Sequence, residues 1–474
     1  MLTALQRIAL LTDLSSFEEV GAPVDGVRTD CAITGIGMVD GRRVAIIATD
    51  RWVQSGSISE QAARKIAAML KKAQTVRIPV IALWESPGAR IQEGVVGMHA
   101  IAEMFRQFAE ISGVVPTIAV LLGTNSGATA YSAALMDFCI MVEQQSHTFI
   151  TGPKVVEQVL GEQVSMAALG GSEQHGRETG LATIVAASES EAISSARRLL
   201  RYLPQHFSDI TLTPPQLIRK KSSPEAMMEL LPDGEDKCGY DMLRIIEAIV
   251  DDDSFLELQA EYAPNLITGF ACMGNMVTGI IANQPMCMSG ILDIKASRKI
   301  ARFVQICDAY SIPLIFLADS PGFMPGREQE QQGMVSVGAA VLSALVQARV
   351  PKITVIIHKL IGGAYAGMNC KGMGADAVFA WPCAKVAVVG KEAAARVIYH
   401  KEIQQSDDPE TSRMALLEDY AQQHLHPYVA AEHGQIDAVI HPDETRVILM
   451  KTLTLLQQKV ERPTARRTGI QPWR

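Results

Sequence analysis

Two short glycine-containing segments have residue types that suit stabilisation of a negatively charged oxygen. Gly127-Ala128 and Gly363-Ala364 each follow an apolar, β-branched run and precede a segment with helical potential. Little side chain stands between such a backbone and a ligand. The start of a helix also presents unpaired N–H donors and the positive end of its dipole. The pattern predicts two oxyanion-binding loops, and a plain glycine turn remains the alternative interpretation.

The neighbourhoods of the two loops repeat in the same order along the chain. The repeated pairs are Gly127-Ala128 with Gly363-Ala364, Ser86-Pro87-Gly88 with Ser320-Pro321-Gly322, and Arg64-Lys65-Ile66 with Arg298-Lys299-Ile300. Subtraction of the sequence numbers gives offsets of 236 (363 minus 127), 234 (320 minus 86) and 234 (298 minus 64). Three landmarks at nearly one offset predict a tandem duplication, with one donor loop in each half.

Segments with strand patterns alternate with segments with helix patterns around these loops. This order predicts α/β layers with crossover connections. Asp40-Gly41 lies between two apolar runs and predicts a hairpin, and Ser59 is placed to cap the helix that follows. The pattern fades over residues 204–237, which predicts an exposed linker. We therefore expect one domain over residues 1–235 and a second over residues 236–474.

Composition narrows the class of protein. A chain of 474 residues exceeds the size at which one core keeps growing, and 48% hydrophobic with 20% charged residues is typical of globular domains. A net charge of −8 argues against a general nucleic-acid binder. No apolar run reaches the length of a membrane span, and the charged N-terminus is not a secretory signal. Eight cysteines without a Cys-x-x-Cys pair favour buried thiols in a reducing, cytoplasmic setting over a metal or disulfide framework.

With these motifs in hand, the chain resembles the carboxyltransferase β subunits of biotin-dependent acyl-CoA carboxylases, the propionyl-CoA and acetyl-CoA carboxylase group. The resemblance covers nearly the whole chain. The segments that carry it are residues 88–94, 131–132, 149–153, 169–171 with His175, 240–242, 281–285, 321–323, 362–365, 374–376 and 380–382. Long collinear matches of this kind are far more specific than either glycine loop alone.

The resemblance implies a crotonase-like fold, a ββα spiral, in each half. It implies that active sites lie at a dimer interface, that dimers or trimers of dimers assemble, and that acyl-CoA binds the first domain. Biotin would arrive on a separate carrier protein charged by a biotin carboxylase subunit, because the chain has no Ala-Met-Lys-Met sequence of its own. By analogy with the family, the released biotin anion removes the α-proton of the acyl group. The reaction then needs no basic side chain.

Site roles follow by position from the resemblance. Gly127 and Ala128 would hold the enolate oxygen of the acyl-CoA, and Gly363 and Ala364 would hold the ureido oxygen of biotin. The substrate-binding candidates are Ala89, Arg90, Tyr131, Tyr365 and Ala366.

Several alternatives stay open at this point. Arg90 could pair with Glu85 or Glu93 instead of binding phosphate, and Tyr131 and Tyr365 could brace the loops by packing. Family members commonly have glycine where this chain has Ala128, whose methyl could oppose a left-handed backbone angle. The same fold would also suit a malonyl- or methylmalonyl-thioester decarboxylase, or a non-catalytic assembly subunit.

Overall fold

The computed structural model describes residues 2–21, 30–209, 227–230, 239–274 and 276–459. Most of the predicted linker, including Pro214-Pro215, lies outside these residues, as does the predicted boundary after residue 235. The described chain forms two compact units. The first contains residues 2–21 and 30–209 together with Ala309–Ser311, and the second contains the other described residues from 227 onward.

The first unit is built on one sheet with the strand order β1-β2-β3-β4-β5-β6-β8, and β7 pairs with β5 outside this path. Its strands are β1 (Glu18–Glu19), β2 (Ala32–Val39), β3 (Arg42–Thr49), β4 (Val80–Ser86), β5 (Thr117–Ser126), β6 (Phe138–Val142), β7 (His147–Phe149) and β8 (Ile184–Ala186). Its helices are α1 (Ala4–Leu11), α2 (Glu60–Val76), α3 (Gly94–Ile111), α4 (Ala128–Leu135), α5 (Pro153–Leu160), α6 (Met166–Gly170) and α7 (Glu189–Leu200).

The second unit repeats this plan, with the strand order β16-β14-β13-β12-β11-β10-β9 and β15 paired with β13. Its strands are β9 (Leu256–Leu258), β10 (Leu266–Met273), β11 (Met276–Asn283), β12 (Leu314–Ser320), β13 (Lys352–Ile361), β14 (Ala377–Ala380), β15 (Lys385–Ala387) and β16 (Ala438–Val439). Its helices are α8 (Met242–Ile249), α9 (Ile294–Ala309), α10 (Arg327–Gln331), α11 (Met334–Gln347), α12 (Ala364–Gly367), α13 (Lys391–Val397), α14 (His400–Gln405), α15 (Pro409–Tyr420), α16 (Pro427–Glu432) and α17 (Thr445–Leu456).

Local sequence explains how the first unit begins. Asp40 and Gly41 both have positive φ, +49° and +74°, and connect β2 to β3 as the predicted hairpin. The side chain of Ser59 accepts from the N–H of Ala62 and caps α2, also as predicted. From β3 onward, in contrast to the hairpin, the central strands pair in parallel, and their side chains are buried because helices cover the sheet.

The two units correspond strand by strand, with one shift in register. The offset from β2, β3 and β4 to β10, β11 and β12 is 234 in each case (266 minus 32, 276 minus 42, 314 minus 80). The offset from β5 to β13 is 235 (352 minus 117), so one extra residue enters the second unit between β12 and β13. The predicted α/β duplication is confirmed, and the carboxyl ends of β5 and β13 are the places where the two glycine loops begin.

Candidate active site

The Ser-Pro-Gly turn of the first unit runs against the end of β5. Gly88 has φ +98°, and a Cβ at this position would lie 2.6 Å from the carbonyl oxygen of Ser126. The hydroxyl of Ser126 donates to the carbonyl oxygen of Pro87 at 2.5 Å. Glycine is the residue that tolerates both the backbone angle and this close approach. The turn is therefore fixed beside the segment that leads into the first glycine loop.

Ala89, the residue after this turn, forms a single parallel bridge with Ile58. The N–H of Ile58 donates to the carbonyl of Gly88, and the N–H of Arg90 donates to the carbonyl of Ile58, both at 2.8 Å. The flanking residues use their polar groups in this bridge, so the amide of Ala89 points away from Ile58. Within the described residues that amide has no hydrogen-bond acceptor.

Gly127 shapes the first glycine loop rather than supplying a donor. It has φ +53° and ψ −105°, a conformation that residues with a Cβ rarely adopt. Its N–H donates to the carbonyls of Phe149 and Ile150, at 3.2 and 3.1 Å, so the predicted donor role of Gly127 is corrected. The next N–H, that of Ala128 at the start of α4, has no acceptor in the described part of the chain. Ala128 has no positive φ, so its methyl group introduces no left-handed strain.

Gly362, and not Gly363, is the counterpart of Gly127 in the second unit. Its φ is +58°, and its N–H donates to the carbonyl of Ala387 in β15 at 2.9 Å, as Gly127 does at the end of β7. The sequence offset of 236 is therefore corrected to 235 at this loop (362 minus 127). Gly363 then corresponds to Ala128 and has an ordinary helical φ of −62°.

Gly363 and Ala364 present two successive amides without an acceptor among the described residues. The helix that follows, α12, has only four residues, so the predicted contribution of a helix dipole is small here. Phe323 bridges Leu292 as Ala89 bridges Ile58, and its amide likewise lacks an acceptor in the described chain. Ala89 and Phe323 thus carry two further amides without an acceptor among the described residues. The sequence does not identify them as donors, because nothing in residue type marks a free amide.

A difference in side-chain size explains why one loop has alanine where the other has glycine. A Cβ on Gly363 would lie 2.8 Å from the ring of Phe323, which leaves no room for a methyl group. The counterpart of Phe323 is Ala89 (323 minus 234), and the counterpart of Gly363 is Ala128. The first unit therefore places two small side chains at these positions. The second unit places a large ring opposite a residue that has no side chain.

The two tyrosines near the loops make packing contacts at positions that are not equivalent. Tyr131 is 47% exposed and contacts the ring of Phe105 edge-on, with centroids 5.8 Å apart. Tyr365 hydrogen-bonds the thiol of Cys370, and burial raises its pKa. At the corrected offset of 235, Tyr131 corresponds to Ala366. Because its pKa is raised, Tyr365 keeps its hydroxyl proton. Its hydrogen bond with Cys370 suits it to bracing the loop.

Arg90 is tied to its own surroundings. Its guanidinium lies 3.4 Å from Glu93 and donates to the hydroxyl and the carbonyl of Ser57 at 3.3 and 3.4 Å. Of the two carboxylates considered from sequence, Glu93 is the partner and Glu85 is not. The side chain is 18% exposed, so a phosphate would reach it only by competing with these contacts.

A buried carboxylate precedes each Ser-Pro-Gly turn, and the two have different partners. Glu85 contacts the guanidinium groups of Arg7 and Arg51, each at 2.7 Å. Asp319 accepts from the hydroxyl of Tyr240 at 2.8 Å and from the N–H of Lys359 at 3.0 Å. Arg7 and Arg51 come from parts of the chain distant from the motif, and sequence spacing does not connect them to it.

His175 has a structural environment. One ring nitrogen lies 2.8 Å from the hydroxyl of Thr179, and the other lies 2.8 Å from the carbonyl oxygen of Thr148. Burial lowers its pKa. Both nitrogens are occupied, which fits a neutral imidazole that supports β7. Across the described ranges, no group of three or more His, Cys, Asp or Glu side chains could hold a metal ion. No described helix is long and apolar enough to cross a membrane.

Two units of this kind, each with backbone donors at a strand-to-helix junction, define a duplicated crotonase-like protein. The carboxyl transferase domain family matches residues 1–470, and the chain belongs to that family. It is similar to the propionyl-CoA carboxylase carboxyltransferase subunit of Haloferax mediterranei, with 42% identity over 93% of this chain and 84% of that protein. It is also similar to the methylmalonyl-CoA decarboxylase subunit alpha of Propionigenium modestum, with 38% identity over 99% of this chain and 93% of that one.

Among solved structures, the transcarboxylase 12S hexamer with methylmalonyl-coenzyme A and methylmalonic acid bound superposes with a TM-score of 0.92. That comparison has 41% identity and covers 99% of this chain and 92% of the other. The resemblance stated from sequence is thereby confirmed, and so is the expectation of a carboxyltransferase of the propionyl-CoA carboxylase type that acts with biotin and a CoA thioester.

Proposed function

We propose that the first unit binds the acyl-CoA thioester and that the amides of Ala128 and Ala89 stabilise its enolate. Carboxylation at the α-carbon moves negative charge onto the thioester oxygen. Each preorganised N–H at such an oxygen contributes about 2.7–4 kcal/mol to the transition state in comparable sites. The observation that carries this proposal is the pair of amides left without an acceptor in the described chain, next to a glycine whose own amide is engaged.

In the second unit we assign the same role to the amides of Gly363, Ala364 and Phe323, which would hold the ureido oxygen of biotin. Bound biotin would supply the carboxyl group and, once that group is lost, the base. The protein residues orient and stabilise: Gly362 fixes the loop through its bond to Ala387, and Phe323 closes one side of the niche. The described loops offer backbone donors for this chemistry, so no basic side chain is required of them.

The partners in this proposal are a biotin carboxyl carrier protein, a biotin carboxylase subunit and further copies of this chain. A related protein of 41% identity assembles as a hexamer, which supports a homo-oligomer here and favours the trimer of dimers over the dimer. We place the protein in the cytoplasm. The seven described cysteines are all free thiols, and reduced thiols suit a reducing compartment.

For the acyl group we propose propionyl, in view of the propionyl-CoA carboxylase relative. The test incubates the purified chain with methylmalonyl-CoA or malonyl-CoA and biocytin, a soluble biotin derivative. Loss of the acyl-CoA carboxyl group only when biocytin is present supports the proposal, and the faster substrate identifies the acyl preference. Release of CO2 at the same rate without biocytin would assign a decarboxylase instead.

An assembly subunit without activity is the remaining alternative, and its basis was the methyl group of Ala128. Since Ala128 has no positive φ and begins an ordinary helix, the methyl does not distort the loop. Titration of the native protein with propionyl-CoA separates the two interpretations. Saturable binding by the native chain supports a site that works as it stands, whereas binding by Ala128→Gly alone would favour the assembly subunit.

A further inference from the structure

The carboxylates before the two Ser-Pro-Gly turns occupy the same place in the fold. Glu85 and Asp319 differ by the repeat offset of 234 (319 minus 85), and each lies one residue before the end of its strand, β4 or β12. They are 8% and 3% exposed, respectively. A carboxylate this buried requires partners for its charge. The difference between the two units lies in which groups provide them.

Both partners of Glu85 are arginines. The guanidinium of Arg7 lies 2.7 Å from one carboxylate oxygen, and that of Arg51 lies 2.7 Å from the other. Arginine keeps its proton in proteins at any physiological pH. The charge that supports the end of β4, and with it the turn that precedes Ala89, is therefore constant.

Asp319 has a titratable partner instead. Besides the bonds from Tyr240 and from the backbone of Lys359, its carboxylate lies 3.9 Å from Nδ1 of His358, which is an ion-pair distance rather than a hydrogen bond. Burial raises the pKa of the Asp319 carboxyl, and the charge of His358 is the foremost of the effects that oppose this rise. Histidine is the side chain whose charge ordinarily changes between about pH 5 and 8.

The other ionisable groups around Asp319 are a tyrosine, a thiol and two lysines. Burial raises the pKa of Tyr240 well above its usual value and also raises that of the Cys383 thiol, so both stay uncharged. The ammonium group of Lys359 acts on Asp319 as a second cation, and that of Lys385 acts on Cys383. Lysine side chains titrate far above pH 8 in water. His358 is thus the one residue of this cluster whose type ordinarily changes charge in the physiological range.

The same carboxylate positions the second glycine loop. Asp319 belongs to β12 and accepts the backbone N–H of Lys359 in β13, three residues before Gly362. The stretch that follows pairs with β15 up to Ile361, where the loop starts. If the hydrogen bond from the N–H of Lys359 to Asp319 weakened, the resulting displacement would therefore pass through Leu360 and Ile361 to the amides of the loop.

We propose that His358 is a positioning residue of the biotin-side loop, and that its protonated imidazole stabilises the Asp319 carboxylate that holds β13 beside β12. This inference rests on the proposed role of that loop. When His358 loses its proton, Asp319 keeps neutral donors and the smaller effect of the Lys359 charge. The loop is then held less firmly, and the affinity for the biotin substrate falls. The acyl-CoA side does not change, because arginines hold its carboxylate.

The experiment measures the KM for biocytin and kcat of biotin-dependent transfer from pH 6 to pH 8.5, at saturating methylmalonyl-CoA. We expect the KM of the native protein to rise roughly tenfold over this range, in keeping with the loss of one charge-assisted contact, while kcat changes less. The affinity for propionyl-CoA, measured by titration at the same pH values, should stay constant. A flat KM for biocytin would overturn the inference.

Three variants separate the effect of charge from that of structure. His358→Arg should remove the pH dependence and keep the low KM, and His358→Gln should show the high KM at every pH. His441→Gln is the matched control, since His441 lies 3.5 Å from Asp443 in an exposed pair of the same unit and should keep the native profile. Thermal unfolding at pH 6 and 8.5 identifies any variant that is merely unstable.

The outcomes distinguish the inference from the function on which it rests. Absence of biotin-dependent transfer in the native protein at every pH would refute the proposed function. Transfer by the native protein, with His358→Arg and His358→Gln both retaining its pH profile, would refute the role of His358 alone.

Discussion

Replacing Gly363 by alanine tests the most specific geometric claim about the second loop. The backbone of Gly363 is helical, with φ −62°, so alanine is acceptable there on conformational grounds. The obstacle is the ring of Phe323, whose two nearest carbons would lie 2.8 and 3.2 Å from the new methyl carbon. Contacts between carbon atoms are favourable near about 3.5–4.0 Å. Either the ring or the loop must move by several tenths of an ångström.

The size of the effect depends on which of the two moves. Overpacking of this kind costs about 1–3 kcal/mol in stability. If the loop shifts, the N–H groups of Gly363 and Ala364 no longer point at the bound oxygen. The loss of one such donor lowers kcat by about 10²–10³-fold. If only the ring of Phe323 rotates away, we expect a loss nearer tenfold. In both cases the KM or kcat for biocytin changes, while propionyl-CoA binding by the first unit stays at the native value.

The rescue experiment copies the combination found in the first unit. Phe323→Ala with Gly363→Ala reproduces the pair Ala89 and Ala128, so the methyl group gains room and the loop can return. Biotin-dependent transfer should recover most of the rate lost in Gly363→Ala alone. Ala128→Gly is the matched control, which removes a methyl group without a clash. A native rate for Gly363→Ala, or a double variant no better than the single one, would refute this account.

Three further predictions concern the first loop and the buried charges. Gly127→Ala forces a Cβ into φ +53° and ψ −105°, so it should destabilise the protein by about 1–3 kcal/mol and abolish saturable propionyl-CoA binding, as measured by denaturant unfolding and titration. Arg7→Met leaves Glu85 buried with one cation fewer and should lower stability by about 3–5 kcal/mol, and a loss below about 1 kcal/mol would contradict this. Lys299→Met removes three bonds to backbone carbonyls and should destabilise far more than Lys65→Met, whose lysine makes one such bond. Because burial lowers the pKa of Lys299, the unfolded chain binds more protons than the native one between the two pKa values, so native stability should rise with pH in that range and Lys299→Met should lose that slope.

The duplication and its α/β layers could be predicted because they depend on patterns that sequence displays directly. Apolar runs, the repeated Ser-Pro-Gly turn and the Asp40-Gly41 hairpin each constrain local structure on their own. The exact equivalence of the loops could not, because Gly362 and Gly363 are the same residue type. Only the positive φ of Gly362 and its bond to Ala387 show which one matches Gly127.

The amide donors and the partners of the buried carboxylates were harder to predict from sequence, for a physical reason. Whether an amide has an acceptor depends on how the neighbouring residues are bonded. The amide of Ala89 has none within the described ranges because Ile58 engages the residues on either side of it. The partners of the buried acids also come from far along the chain. Arg7 in α1 reaches Glu85 near the end of β4, and no spacing rule connects a helix near the N-terminus with a strand end so distant.

The second unit pairs the large side chain of Phe323 with Gly363, whereas the first pairs Ala89 with Ala128. This difference limits which segments recombination between the two halves of the gene can exchange. If recombination copied only the loop of the first unit into the second, Ala128 would be set against Phe323, and the two side chains would compete for one space. The reverse copy would leave a void beside Ala89. An exchange preserves both niches only if it carries the turn and the loop together, which means everything from Ala89 through Ala128 or the matching stretch of the second unit. The turn and the loop therefore behave as one heritable block, although each looks like a separate motif.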